Sequence, residues 1–118
     1  MIPTEIKLRK TSRLLVVTFD DGASFDYTFE YLRVHSPSAE VKGHGPGQGT
    51  LQTGKENVAI TAIEPIGNYA VRLVFDDGHD TGLYTWACLR ELGDNMGNNW
   101  QSYLDRLQAA GYARSKPE

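Results

Sequence analysis

A tetrapeptide that occurs twice constrains this chain more than any other feature. Phe19-Asp20-Asp21-Gly22 returns 56 residues later as Phe75-Asp76-Asp77-Gly78. Tyr27-Thr28-Phe29-Glu30-Tyr31-Leu32-Arg33 returns 57 residues later as Tyr84-Thr85-Trp86-Ala87-Cys88-Leu89-Arg90, so the second copy holds one extra residue between its Gly and its Tyr. Two copies in 118 residues make a duplicated domain, not a solenoid of many stacked units. Each copy reads alike. Apolar residues alternate at Ile6 and Leu8, then at Leu15, Val17 and Phe19, the period that turns one face of a strand toward a core. Lys10 to Arg13 form the turn between these runs. Asp21-Gly22 marks the next hairpin, because glycine accepts the positive φ such turns require, and Phe25 and Tyr27 continue on a third strand. In the second copy the same pattern predicts strands near 57–63, 69–75 and 80–84, with Glu64 to Asn68 as the first turn and Asp77-Gly78 as the second.

Both copies then change to helical spacing. Thr85 suits an N-cap, Trp86, Leu89 and Leu92 share one face, and Gly93 suits the residue after the last turn. The first copy's helix spans about 28–34. A last helix from about Asn99 carries Trp100, Tyr103, Leu104, Leu107 and Ala110 as its apolar stripe and stops at Gly111. These elements predict an α+β fold: a mostly antiparallel sheet from two pseudo-repeated β-β-β-α units with an added C-terminal helix, one domain over residues 1–112 and a frayed tail at 113–118. Between the copies, alternate glycines at 43, 45, 47 and 49 oppose regular structure. A loop as long as Ser36 to Gly49 inside a compact domain is expected to be functional or mobile.

Charge and cysteine content narrow the function classes. With 12 Lys+Arg against 15 Asp+Glu the net charge is −3, which argues against a nucleic-acid binder. Lys7, Arg9, Lys10 and Arg13 on the first hairpin read as a solvated sheet edge. A single cysteine allows no internal disulfide, which fits a reducing, cytoplasmic compartment. No signal-peptide pattern opens the chain, and no apolar run approaches the ~18 residues of a membrane span.

The chemical motifs are weak. Gly49-Thr50-Leu51-Gln52-Thr53-Gly54-Lys55-Glu56 follows a phosphate-binding loop until Glu56 replaces the magnesium-holding Ser or Thr, and a strand follows where a helix is required. The Asp20-Asp21 and Asp76-Asp77 pairs read as solvent-facing turn residues, not as an acid–base pair. Cys88 falls among helical core residues, without a base or a Gly-x-Ser-x-Gly elbow to support nucleophilic catalysis. His79 is different, because the first copy has Ala23 at that point and the turn therefore does not demand histidine. A metal site built from His44, His79 and a carboxylate stays open, although no metal-ligand spacing of the usual kinds occurs.

A longer pattern adds to these readings. Leu32-Arg33 leads into Ser36-Pro37-Ser38-Ala39-Glu40 and Gly43-His44-Gly45-Pro46-Gly47. There follow Ile63-Glu64-Pro65-Ile66-Gly67-Asn68-Tyr69-Ala70-Val71 and Asp76-Asp77-Gly78-His79-Asp80-Thr81-Gly82-Leu83-Tyr84-Thr85-Trp86. Together, over roughly residues 4–95, these segments resemble the gamma-butyrobetaine hydroxylase-like N-terminal domain family, which includes small stand-alone bacterial proteins of unknown function. The resemblance implies an accessory module. In carnitine-pathway oxygenases such a domain precedes an iron- and 2-oxoglutarate-dependent catalytic domain, and related domains are joined to P-loop ATPases that carry iron–sulfur clusters. It also implies a zinc site of three clustered cysteines and a downstream histidine. His79 falls on that histidine, but the cysteine cluster falls on Ser36 to Val41, which contains no thiol, so no zinc is expected there.

The expectation is therefore a non-catalytic binding module without cofactor, acting through a protein partner in iron–sulfur or oxygenase-related metabolism. Arg33, Glu40, His44 and His79 are expected to form its working surface, and no residue is assigned a catalytic role. The alternative is a metal- or small-molecule-binding protein using His79 and His44, with an enzyme on an unknown substrate as its extreme form. A homodimer of paired strands is a third option.

Overall fold

The computed structural model describes residues 1–42 and 49–114. His44 and the other loop residues from 43 to 48 lie outside the described residues, as do 115–118 of the expected tail. In chain order the elements are β1 (Pro3–Arg9), β2 (Leu14–Phe19), β3 (Ser24–Thr28), α1 (Phe29–Val34), α2 (Ala39–Lys42), β4 (Ile60–Ile66), β5 (Ala70–Phe75), β6 (Leu83–Thr85), α3 (Trp86–Asp94) and α4 (Met96–Ala109). They form two antiparallel three-stranded sheets, β1-β2-β3 and β4-β5-β6, one from each copy. No helix among the described residues is long and apolar enough to cross a membrane.

The duplication extends to single hydrogen bonds. Phe19 N–H donates to the Ala23 carbonyl at 2.8 Å, and Phe75 N–H to the His79 carbonyl at 3.0 Å. Gly22 and Gly78 both stand at φ 87°. Asp20, Asp21, Asp76 and Asp77 all keep negative φ, so each Asp-Asp-Gly is a three-residue loop ending in a left-handed glycine rather than a two-residue Asp-Gly turn. The Thr28 hydroxyl caps α1 through Tyr31 N–H, and the Thr85 hydroxyl caps α3 through Cys88 N–H.

One core joins the halves. Leu15, Val17 and Phe19 of β2 and Leu73 and Phe75 of β5 are buried in the same apolar cluster, with Leu32 of α1 and Leu89 of α3. Buried tyrosines cross between the copies. The Tyr27 hydroxyl donates to the Leu89 carbonyl at 2.5 Å, and its counterpart Tyr84 donates to Leu32, the counterpart of Leu89, also at 2.5 Å. Ion pairs cross the same way: Arg33 reaches Asp77 at 2.8 Å, and Arg90 reaches Asp21 at 3.0 Å.

Four boundaries differ from the sequence expectation. Glu64-Pro65-Ile66 belongs to β4 and the turn is centred on Gly67, which stands at φ 53°. Pro65 is tolerated because β4 is an edge strand, where one side of the ladder is unused. β6 starts at Leu83, because Thr81 is drawn instead into a hydrogen bond with Ser38. Gly93 does not stop α3 but lies inside it, pressed against the ring of Phe25. α4 begins at Met96, with Asn95 shared between the two helices. Gly111 does end α4: at φ 76° it donates to Gln108 while Tyr112 donates to Leu107, the double bond of a Schellman motif.

Two substitutions test this packing by urea and thermal unfolding. Tyr84→Phe leaves the buried Leu32 carbonyl without its donor and is expected to cost about 1–3 kcal/mol, at roughly 4–8 °C per kcal/mol in a domain of this size. Gly93→Ala improves helix propensity by about 1 kcal/mol. Its Cβ would nonetheless lie 2.7 Å from the Phe25 ring, so a net loss of stability is expected, and a gain would show that the contact is slack.

Candidate functional site

The polar cluster at the second Asp-Asp-Gly turn grows from a difference between the copies. In the first half Phe25 packs edge-on against Phe19, ring centroids 6.0 Å apart, and lies over Gly93. In the second half the residue equivalent to Phe25 is Gly82, and the residue equivalent to Gly93 is Ser36. The space is taken by the imidazole of His79, 6.0 Å from Phe75 and hydrogen-bonded through Nε2 to Ser36 Oγ at 2.8 Å. An apolar ring contact in one half is thus a hydrogen-bonding ring in the other. A Cβ on Gly82 would sit 2.5 Å from Ser36 Oγ, so the small residue is what leaves room for the serine.

Around this ring the sequence-nominated residues converge. His79 Nδ1 faces Glu40 Oε2 at 3.3 Å; the His79 side chain is 3% exposed and the Glu40 side chain 65%. Arg33 is buried and holds Asp77, which also takes Lys55 Nζ at 2.7 Å. Arg33, Glu40 and His79 therefore share one site, while His44 lies outside the described residues. Sequence reasoning missed Ser36, Ser38, Thr81, Lys55 and Asp77. Asp77 in particular was expected to face solvent with the rest of its turn. Its carboxylate instead reaches back to Arg33 and Lys55, because the turn packs against α1 of the other half. The duplicated Arg33/Arg90 and Asp21/Asp77 were the signal: like residues in a two-copy domain can pair crosswise.

Electrostatics follow from this packing. Burial raises the Asp77 carboxyl pKa, but hydrogen bonds from Lys55 and Arg33 outweigh it and hold it down to about 2. Burial pushes the His79 imidazole below its ordinary value, helped by the nearby Arg33 charge and opposed by Glu40 and Asp77, so the ring is neutral at pH 7. Burial likewise pushes the Cys88 thiol up, away from a reactive thiolate, consistent with its packing against the core.

The contact order Ser36–His79–Glu40 is that of a nucleophile, base and orienting acid. Ser36, however, is fully buried, and its Oγ also accepts from Ser38 N–H, so the hydroxyl serves as a support for the ring. The zinc clamp implied by the resemblance does not fit these residues either. Ser36 Oγ is engaged by His79, Ser38 Oγ lies 2.8 Å from Thr81 Oγ1, and Val41 offers an apolar side chain. A structural zinc ion needs sulfur or imidazole donors. Among the described residues no three of His, Cys, Asp and Glu are grouped to hold a metal ion.

Stability is expected to fall with acid in two stages. A His79 pKa lowered by folding means that only the unfolded chain takes the proton just below pH 6.5, so stability declines as pH falls through that region. Buried His35, lowered by its own desolvation, adds to the same stage. Asp77 acts between about pH 4 and pH 2, where losing its carboxylate costs on the order of 1 kcal/mol after allowance for solvent screening. Urea unfolding at pH 7.5, 5.5 and 3.5 checks this: His79→Gln should flatten the upper stage in part and leave the lower one unchanged.

Comparison with known proteins agrees with this architecture. The family model described as gamma-butyrobetaine hydroxylase-like, N-terminal, matches residues 6–90. No curated protein matches the chain. Two solution NMR structures superpose at TM-score 0.83 each: one is 52% identical and covers 99% of this chain and 87% of its own, the other 48% identical, covering 99% and 92%. A crystal structure of a protein of unknown function of the DUF971 family, from Acidithiobacillus ferrooxidans, is 42% identical at TM-score 0.66, covering 77% of this chain and 91% of its own. With the family model spanning both copies of the repeat, the chain belongs to the gamma-butyrobetaine hydroxylase-like N-terminal domain family.

Proposed function

We propose that this domain is a non-catalytic binding module that docks a protein partner at the face built by Glu40, His79, Arg33, Lys55 and Asp77. The observation that carries this reading is the exchange of Phe25 for His79 between the two halves. The fold already closes the first half with a phenyl ring, so a buried imidazole with two polar partners goes beyond what packing needs. What it supports is a carboxylate: Glu40 stands exposed in solvent with His79 behind it. A charge held in place before docking loses little side-chain entropy on binding, which favours recognition.

Membership of the family supports placing the partner in iron–sulfur or oxygenase-related metabolism, in the cytoplasm, where a lone half-buried Cys88 is no liability. The metal-binding alternative would draw on Glu40 and His79 with a ligand from outside the described residues.

Affinity capture from native extract, quantified by mass spectrometry with three baits, tests the reading. A partner recovered near stoichiometry by the wild type and by Lys7→Glu, a change on the distant charged hairpin, should drop at least tenfold with Glu40→Lys. Equal recovery with Glu40→Lys, or recovery of general chaperones alone, would remove the docking face from consideration.

A further inference from the structure

We infer that a second site, independent of the docking face, binds a small molecule with a flat apolar body and a single anionic group. A cavity of about 590 Å³ opens between the β1–β2 turn, the start of α1 and the start of α4. Its volume lies within the ~300–1,000 Å³ typical of small-molecule sites. Phe29 and Tyr31 wall it from α1, and Met96 and Trp100 from α4. The Tyr31 and Trp100 rings meet edge-on at 6.3 Å, leaving aromatic surface for a planar guest.

Arg13 supplies the charge. Its guanidinium stands 5.9 Å from the Phe29 ring centroid, and Nη2 donates to the Val58 carbonyl at 2.6 Å. Among the described residues no carboxylate lies within ion-pair distance of it. The other charges at the cavity are already engaged. Arg114 grips Glu30 through Nε and Nη2, and the Glu56 carboxylate takes a hydrogen bond from the Tyr112 hydroxyl at 3.2 Å. An anionic group is therefore drawn to the Arg13 end of the cavity.

The backbone of Arg13 points the same way. At φ 58° it is the one non-glycine residue with positive φ among the described residues. The matching turn of the second copy places its positive φ on Gly67, where that conformation is not strained. Strain at a non-glycine residue persists where the side chain is used. Gly97 lines the cavity from α4, and a Cβ added there would meet nothing within 4 Å, so the site can be filled by substitution without disturbing the helix.

The test compares two fluorescent probes of the same shape, 8-anilinonaphthalene-1-sulfonate and the uncharged N-phenyl-1-naphthylamine. Each is titrated into full-length folded protein carrying Trp86→Phe, so that quenching reports Trp100. The sulfonate probe should bind at least tenfold more tightly than the neutral one, and Arg13→Gln should abolish that difference. Gly97→Leu, which fills the cavity and keeps the fold, should weaken both probes at least tenfold. Equal affinity of the two probes in the parent protein would overturn the anionic specificity. Unchanged binding in Gly97→Leu would overturn the site itself, whatever the fate of Arg13→Gln.

Discussion

The structure depends on a crossed pair of hydrogen bonds between copies of one unit. A three-stranded sheet with one short helix cannot bury its apolar face alone, and it leaves the carbonyls at the helix end without partners. Here each copy supplies what the other lacks. Tyr27 of the first half satisfies Leu89 of the second, and Tyr84 returns the bond to Leu32. Both hydroxyls are buried with their acceptors, so water cannot substitute if one half drifts. Arg33–Asp77 and Arg90–Asp21 repeat the exchange at the periphery. Packing contacts would tolerate sliding of one sheet over the other, whereas four directional interactions do not.

That reciprocity explains which parts of the fold were legible in the sequence. The offset of 56 to 57 residues announced two like units, and period-two alternation located β2 and β5 within a residue or so. The elements misplaced were those whose limits are set by the other half. Gly93 read as a helix stop on local chemistry alone; only the approach of Phe25, far away in sequence, makes it an interior contact. Thr81 read as strand until the Ser38 hydroxyl, across the chain, claimed it.

The candidate site was legible in the same partial way. His79 stood out because Ala23 occupies the equivalent place and shows that the turn works without an imidazole. Its convergence with Arg33 and Glu40 also followed from the repeat. The supporting shell did not, because Ser36, Ser38 and Thr81 are ordinary loop residues until the fold encloses them. Lys55 belonged to a motif that failed as a phosphate loop, and its actual contact is a carboxylate in the next hairpin.

Duplication also shows what the polar ring costs. Where the first half buries a phenyl ring that asks for no partner, the second buries an imidazole with two nitrogens to satisfy. An unmet polar group in such a place costs about 1–3 kcal/mol, so the substitution survives only with changes around it. Gly82 has lost the bulk of Phe25 and Ser36 has gained a hydroxyl relative to Gly93. Glu40, on a helical turn the first half does not share, answers the remaining nitrogen. Three coordinated differences confined to one corner of an otherwise repeating structure are difficult to explain by stability, since the simpler corner is present in the same molecule and holds. They are the expected trace of selection for something that the corner presents to the outside, and the one member of the set that reaches solvent is the carboxylate of Glu40.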